Sequence, residues 1–212
     1  EALWGTASAP AYALTGEDGA VTTEGADGNN YNIKWDGETL TLSGADITSG
    51  SYEDAAIYWD SDLKLQLTGT NTVTGPSGGS TGASYGIYTG GSLAISGGGS
   101  LTATGGAAEN TSFGICATRE TLAISGGTVH ATGGAADHSY GIYTGGSLAI
   151  SGGGKVTATG GEVSGEYAYS CGIYVEEDAA ISGGTVNATG GTATGSYAGS
   201  CGIVPDNVIV SR

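Results

Sequence analysis

Isoleucine, leucine and valine recur along this chain in short alternating runs, each bounded by glycines, as in GIYT, LAIS and KVTATG. Alternation over four to six residues is the signature of a half-buried strand, and Gly-rich breaks bound such strands. The runs come in threes. One unit reads YGIYTGGSLAISGGGSLTATGG from Tyr85, the next FGICATRETLAISGGTVHATGG from Phe113, a third YGIYTGGSLAISGGGKVTATGG from Tyr140, and a fourth CGIYVEEDAAISGGTVNATGG from Cys171. A fifth opens at Cys201. Gly86, Gly114, Gly141, Gly172 and Gly202 mark the period, with spacings of 28, 27, 31 and 30 residues. Upstream, Ala56 to Gly75 and Gly37 to Gly50 fit the same template more weakly.

Three strands and three bends per repeat describe one triangular turn of a solenoid whose successive turns pair as parallel strands. The expected fold is therefore all-β, a right-handed parallel β-helix of about six coils over residues 33–212, with residues 1–32 as an N-terminal cap. Hexapeptide coils need six-residue steps, and propeller blades need a fourth strand per unit. Neither is present. Period two points Ile87, Ile115, Ile142, Ile173 and Ile203 inward from the first strand. Leu93 and Ile95 do so from the second, and Leu101, Val129, Val156 and Val186 from the third, with equivalents stacked rung on rung. Loop length varies at one corner, after the third strand (AAENTS, AADHS, EVSGEYAYS, TATGSYAGS), where solenoids often build a binding edge.

Composition narrows the partners. The chain has 43 Gly, one Phe and no Met, which suits a narrow interior of small aliphatic side chains. Its net charge of -16 repels nucleic acid and anionic lipid. No apolar run is long enough to insert in a membrane. The chain opens at Glu1 without Met, as a trimmed mature chain would. The acidic excess reads either as solvation and self-repulsion or as hard-cation ligation, with Asp60 and Asp62, Glu53 and Asp54, and Glu176 to Asp178 as candidate calcium ligands.

Outward on the first strand lies a column of Tyr58, Tyr88, Tyr143 and Tyr174, interrupted by Cys116. Exposed aromatic faces stack on sugar rings, whereas tyrosines on a sheet also stack on one another. Tyr167, Tyr169 and Tyr197 in the variable corner loops add to the sugar reading. Outward Thr-x-Thr pairs on the third strand resemble the arrays of ice-binding solenoids, with His130 and Asn187 interrupting them. Cys171 and Cys201 share a repeat position one coil apart, at a rung spacing that a disulfide allows. In-register parallel neighbours orient their Cβ atoms poorly for one, so the pair reads as stacked buried thiols with a disulfide as the alternative, and Cys116 as an unpaired thiol, exposed or half-exposed. Catalysis finds little support: Arg119 and Arg212 are the only arginines, and the strand faces offer Ala, Ser and Thr rather than paired carboxylates.

The stretch TLTLSGADITSGSYEDAAIYWDSDLKLQLTGTNTVTG, Thr39 to Gly75, resembles the start of a family of bacterial secreted carbohydrate-binding β-helix domains. That resemblance implies a pectate-lyase-like helix without lyase activity that binds polysaccharide and sometimes calcium, with Asp46 as a calcium ligand. The expectation is thus a non-catalytic extracellular or cell-surface module that binds polysaccharide or a cell-surface glycan. The alternatives are an inert stalk of a larger surface protein and a polysaccharide lyase or hydrolase.

Overall fold

The computed structural model describes residues 3–4, 12–16, 19–48 and 53–211. Among them there is no helix, and the strands form three stacked sheets that make a parallel β-solenoid of about six turns. Each repeat donates one strand to each sheet. The first sheet runs through Ala55–Trp59, Ala83–Thr89, Thr111–Ala117, His138–Thr144, Tyr169–Val175 and Gly199–Val204. The second runs through Thr39–Ser43, Leu63–Thr68, Leu93–Gly97, Leu122–Ile124, Leu148–Ile150, Asp178–Ser182 and Asn207–Ser211. Asp46–Ile47, Thr70–Thr74, Ser100–Thr104, Thr128–Thr132, Lys155–Thr159 and Thr185–Thr189 make the third.

Register follows the repeat without slippage. Ile57, Ile87, Ile115, Ile142, Ile173 and Ile203 stand on one line, and Leu63, Leu93, Leu122 and Leu148 on another. Slipping a strand by one residue would turn its aliphatic set to solvent, so burial itself pins the pairing. Ile87, Ile115, Ile142 and Ile173 are fully buried, as are Leu101 and Val129. Val186 and Ile203, toward the last coil, are partly buried against the same core. Before the first coil the second sheet continues differently: Ile33–Trp35 pairs antiparallel with Thr39–Ser43, and Tyr12–Thr15 pairs antiparallel with Ile33–Trp35. Ala13 and Ile33 are fully buried in the shared core.

Polar groups inside the coil are all accounted for. Asn71 occupies the inward position of Leu101 one turn on and is fully buried. Its amide oxygen accepts from the Ala45 N–H at 2.9 Å, and its amide nitrogen donates to the carbonyls of Thr68 and Ser100 at 3.1 and 3.0 Å. Among the described residues, no buried side-chain nitrogen or oxygen lacks a partner.

A second device fixes the variable corner. Ser84, Ser112, Ser139 and Ser170 are fully buried just beyond the loops. The Ser139 hydroxyl donates to the Gly134 carbonyl at 2.8 Å and accepts from the Gly161 N–H at 2.7 Å, one coil further. Ser112 and Ser170 repeat both bonds in their own coils. The hydroxyls therefore clip each corner to the next, and loop length varies outside a fixed clasp. Ser139→Ala strands a donor and an acceptor at once, so it is expected to cost about 2 kcal/mol, read as a lower midpoint in urea denaturation at unchanged slope.

Candidate functional site

Strand alternation breaks once in each repeat, on the first sheet. Ser139 points in and Tyr140 out, Gly141 and Ile142 are both buried, and Tyr143 points out again. Tyr140 and Tyr143, three positions apart, thus share the outer face. Sequence periodicity assigns only the second of them, because it carries the count straight through the glycine. A Cβ on Gly141 would lie 2.6 Å from the Thr159 nitrogen and 2.7 Å from the Gly172 carbonyl oxygen. The first strand passes too close to the end of the third for any side chain there.

Two aromatic columns result. Tyr85, Phe113 and Tyr140 stack face to face at centroid distances of 5.1 and 5.2 Å, interplanar angles 2° and 14°. Beside them Tyr58 stacks on Tyr88 at 4.9 Å and Tyr143 on Tyr174 at 5.8 Å. Edge-on contacts lock the columns together, among them Tyr85 with Tyr88 and Phe113 with Tyr143. Every tyrosine after Tyr52, and the one Phe, lies on this face or on the loops that feed it. The column of Tyr58, Tyr88, Tyr143 and Tyr174 exists as expected, but its members are half-buried and turn ring faces to one another. The Tyr143 hydroxyl donates to Glu176. Burial, then that bond, raises its pKa. Burial likewise lifts Tyr85 to about 12.

Cys116 sits in the second column between Tyr88 and Tyr143. It is a free thiol and buried, not partly exposed as its outward position implies. On this sheet an outward position does not mean solvent, because the aromatic neighbours one coil above and below are far larger than a cysteine. Burial pushes its pKa up. A thiol that is both inaccessible and protonated is expected to resist maleimide in the native protein and to react only at the rate of unfolding. Rapid stoichiometric labelling without denaturant would contradict this placement.

Cys171 and Cys201 are joined by a disulfide, with Cα atoms 4.6 Å apart. Stacked thiols are not what the structure holds. Both side chains leave the same face at a rung spacing within disulfide reach. The pair occupies the column of Tyr85, Phe113 and Tyr140, and the change from ring to sulfur opens a groove of about 380 Å³ lined by His138, Tyr140, Tyr169, Cys171, Tyr174, Gly199, Ser200, Cys201 and Val204. Tyr169 stacks on His138 at 6.2 Å along one side. His138 Nδ1 accepts the Tyr169 backbone N–H at 3.3 Å.

The corner loops above the groove are themselves in register. Val163 bridges Ala136 and Ala193 in parallel, and the Tyr197 N–H donates to the Glu166 carbonyl at 2.8 Å. This brings Tyr167 onto Tyr197, stacked at 5.2 Å, with the two side chains 63% and 64% exposed. Among the described residues they are the most open rings on this side of the molecule. Of the residues singled out from sequence, Tyr174 lines the groove, and Tyr167 and Tyr197 form the loop pair. Tyr169, also singled out among the loop tyrosines, lines the groove as well, whereas Tyr140 and His138 were not found from sequence. The shared position of Tyr140 with two cysteines was the available signal.

The acidic candidates do not converge. Asp46 is exposed on the third sheet, whereas Asp60 and Asp62 lie at the corner between first and second strands. Asp62 instead accepts the Ser92 N–H of the next coil at 2.8 Å. Among the described residues, no three His, Cys, Asp or Glu side chains gather as a metal cradle. On the third sheet, Thr74, Thr104, Thr132, Thr159 and Thr189 form an unbroken column, while His130 and Asn187 interrupt its neighbour.

The molecule is thus a parallel β-solenoid with one aromatic outer face, a groove where the aromatic column gives way to a disulfide, and a stacked tyrosine pair on the adjoining loops. Compared with models of protein families, with curated proteins and with solved structures, the chain has no match.

Proposed function

We propose that this chain is a non-catalytic, extracellular module that binds polysaccharide or a cell-surface glycan, of the adhesin type. The observation that carries the reading is that, beyond residue 52, every tyrosine and the one Phe lie on one outer sheet and its loops. The other two outer faces present Lys64, Gln66, Ala94 and Ala149, or threonines with His130 and Asn187. Rings whose one end is apolar and the other hydroxylated suit a ligand that is itself apolar on one face and polar at its rim. The likeness of Thr39 to Gly75 to bacterial carbohydrate-binding β-helix domains supports the same reading. The disulfide is in keeping with an oxidising compartment outside the cell.

A rigid stalk is the second reading. It is favoured by the stacked columns, which spend most ring faces on each other and stiffen the face. A glycan array probed with the protein, with and without calcium, separates the two. Binding to a defined set of glycans supports the module, and silence across plant, host and microbial glycans leaves the stalk.

A further inference from the structure

We infer that the groove over the Cys171–Cys201 disulfide is the specific subsite of this face, and that it takes a neutral pyranose unit laid against Tyr140. The inference rests on the carbohydrate reading above and names the site and the ligand class within it. Tyr140 ends its aromatic column. One ring face is covered by Phe113 at 5.2 Å. The next two positions on that line are Cys171 and Cys201, so the opposite face has no ring upon it and looks into the groove it lines. Other rings also end stacks, Tyr85 against Ala55 and Tyr88 and Tyr143 against Cys116, but these do not line the groove. Tyr140 ends the first column beside an open volume, and Tyr174, followed by Val204, ends the second column beside the same volume.

The ring is also held in place before any ligand arrives. Tyr174 meets Tyr140 edge-on at 5.7 Å and Tyr143 does so at 5.9 Å, so stacking a ligand costs little side-chain ordering. Polar groups stand at the rim, those of His138 and Tyr169. A groove of about 380 Å³ is in the size range of small-ligand sites. An apolar floor with a few polar rim groups matches a pyranose, which shows C–H bonds on one face and hydroxyls around its edge.

Charge selects within the sugars. Among the described residues lining the groove there is no carboxylate and no Lys or Arg, so the site offers the carboxylate of a uronate or sialate no Lys or Arg counter-charge. The whole chain meanwhile carries a net charge of -16, which disfavours the approach of a polyanion at any ionic strength low enough to leave the field unscreened. A neutral glycan pays neither cost.

The test is calorimetric titration at 150 mM NaCl with cellohexaose, xylohexaose, mannohexaose and hexagalacturonate, using the whole chain and two variants. Tyr140→Ala removes the platform. Val204→Trp fills the groove from an outward position in register with Tyr174 and leaves Tyr140 and its column intact, so the site remains testable if the first variant folds poorly. Binding to at least one neutral hexasaccharide, weakened tenfold or more by each folded variant, and no binding to hexagalacturonate, is the expected result. Unchanged affinity in Val204→Trp and in folded Tyr140→Ala overturns the groove while leaving the carbohydrate reading standing. Binding of hexagalacturonate alone overturns the neutral class. Silence with all four sugars and across the glycan array overturns both.

Discussion

Gly141→Ala is expected to lose about 3 kcal/mol of stability or more, far beyond what one methyl group costs on a surface. The methyl would stand 2.6 Å from the Thr159 nitrogen, 2.7 Å from the Gly172 oxygen and 2.8 Å from the Ala131 oxygen. All three are backbone atoms, so no rotamer change relieves the clash, and the strand must move away from the third sheet. That movement would pull on Tyr140 and Ile142, which flank the glycine on opposite faces. Gly98→Ala is the control. Its added Cβ meets nothing within 4 Å, and it is expected to shift stability by no more than about 0.5 kcal/mol. Urea midpoints measured on the two variants decide the matter. Equal midpoints would mean that the close crossing of first and third strands is not what the repeated glycine serves.

That glycine also marks where sequence periodicity stops being informative. Inward Ile and Leu positions are legible because they alternate over several residues and recur in every repeat, so two independent signals agree. Tyr85, Phe113 and Tyr140 are not legible as outward, since counting by two through Gly86, Gly114 or Gly141 places them on the wrong side. Serines 84, 112, 139 and 170 read as loop residues because a small hydroxyl beside a turn ordinarily faces water. Only the stacking of coils brings the second glycine of the next turn within reach. Asn71 shows the same limit. Its type argues for the surface, and its burial becomes intelligible once the carbonyls and the N–H around it are in place.

The candidate site illustrates the point from the other direction. The sequence displays tyrosines, and stacking removes most of their faces from use. What remains open is set by what a column lacks rather than by what it contains. The groove exists because two cysteines follow Tyr140 where rings precede it. The loop pair Tyr167 and Tyr197 exists because two insertions of equal length fall in register, with thirty residues between corresponding positions. Neither feature belongs to one repeat alone, so a reading made unit by unit passes over both.

Ile142→Asp should be the most damaging single change in the interior, and its damage should be local. Ile142 is fully buried, with Ile115 and Ile173 directly below and above it, in a cluster made only of apolar residues. An aspartate there either stays ionised without a partner or takes up a proton against its ordinary pKa. Either route costs on the order of 5 kcal/mol, comparable with the whole stability of many domains. In a globular fold that loss would be shared by every element. In a solenoid each coil contacts only its neighbours, so the cost falls on the coils that hold Ile115, Ile142 and Ile173. Hydrogen exchange is expected to rise steeply over Thr111–Ala117, His138–Thr144 and Tyr169–Val175 and to change little in Thr39–Ser43 and Leu63–Thr68. The pH dependence has a definite sign. Burial raises the carboxyl's pKa in the folded chain above its unfolded value, so the variant's deficit is smallest in acid and grows as pH rises through that range. Thr157→Asp, on the outer face of the third sheet, should show neither effect. Exchange that rose equally from Thr39 to Val204, or a deficit that shrank with rising pH, would mean that the coils do not share a continuous dry interior.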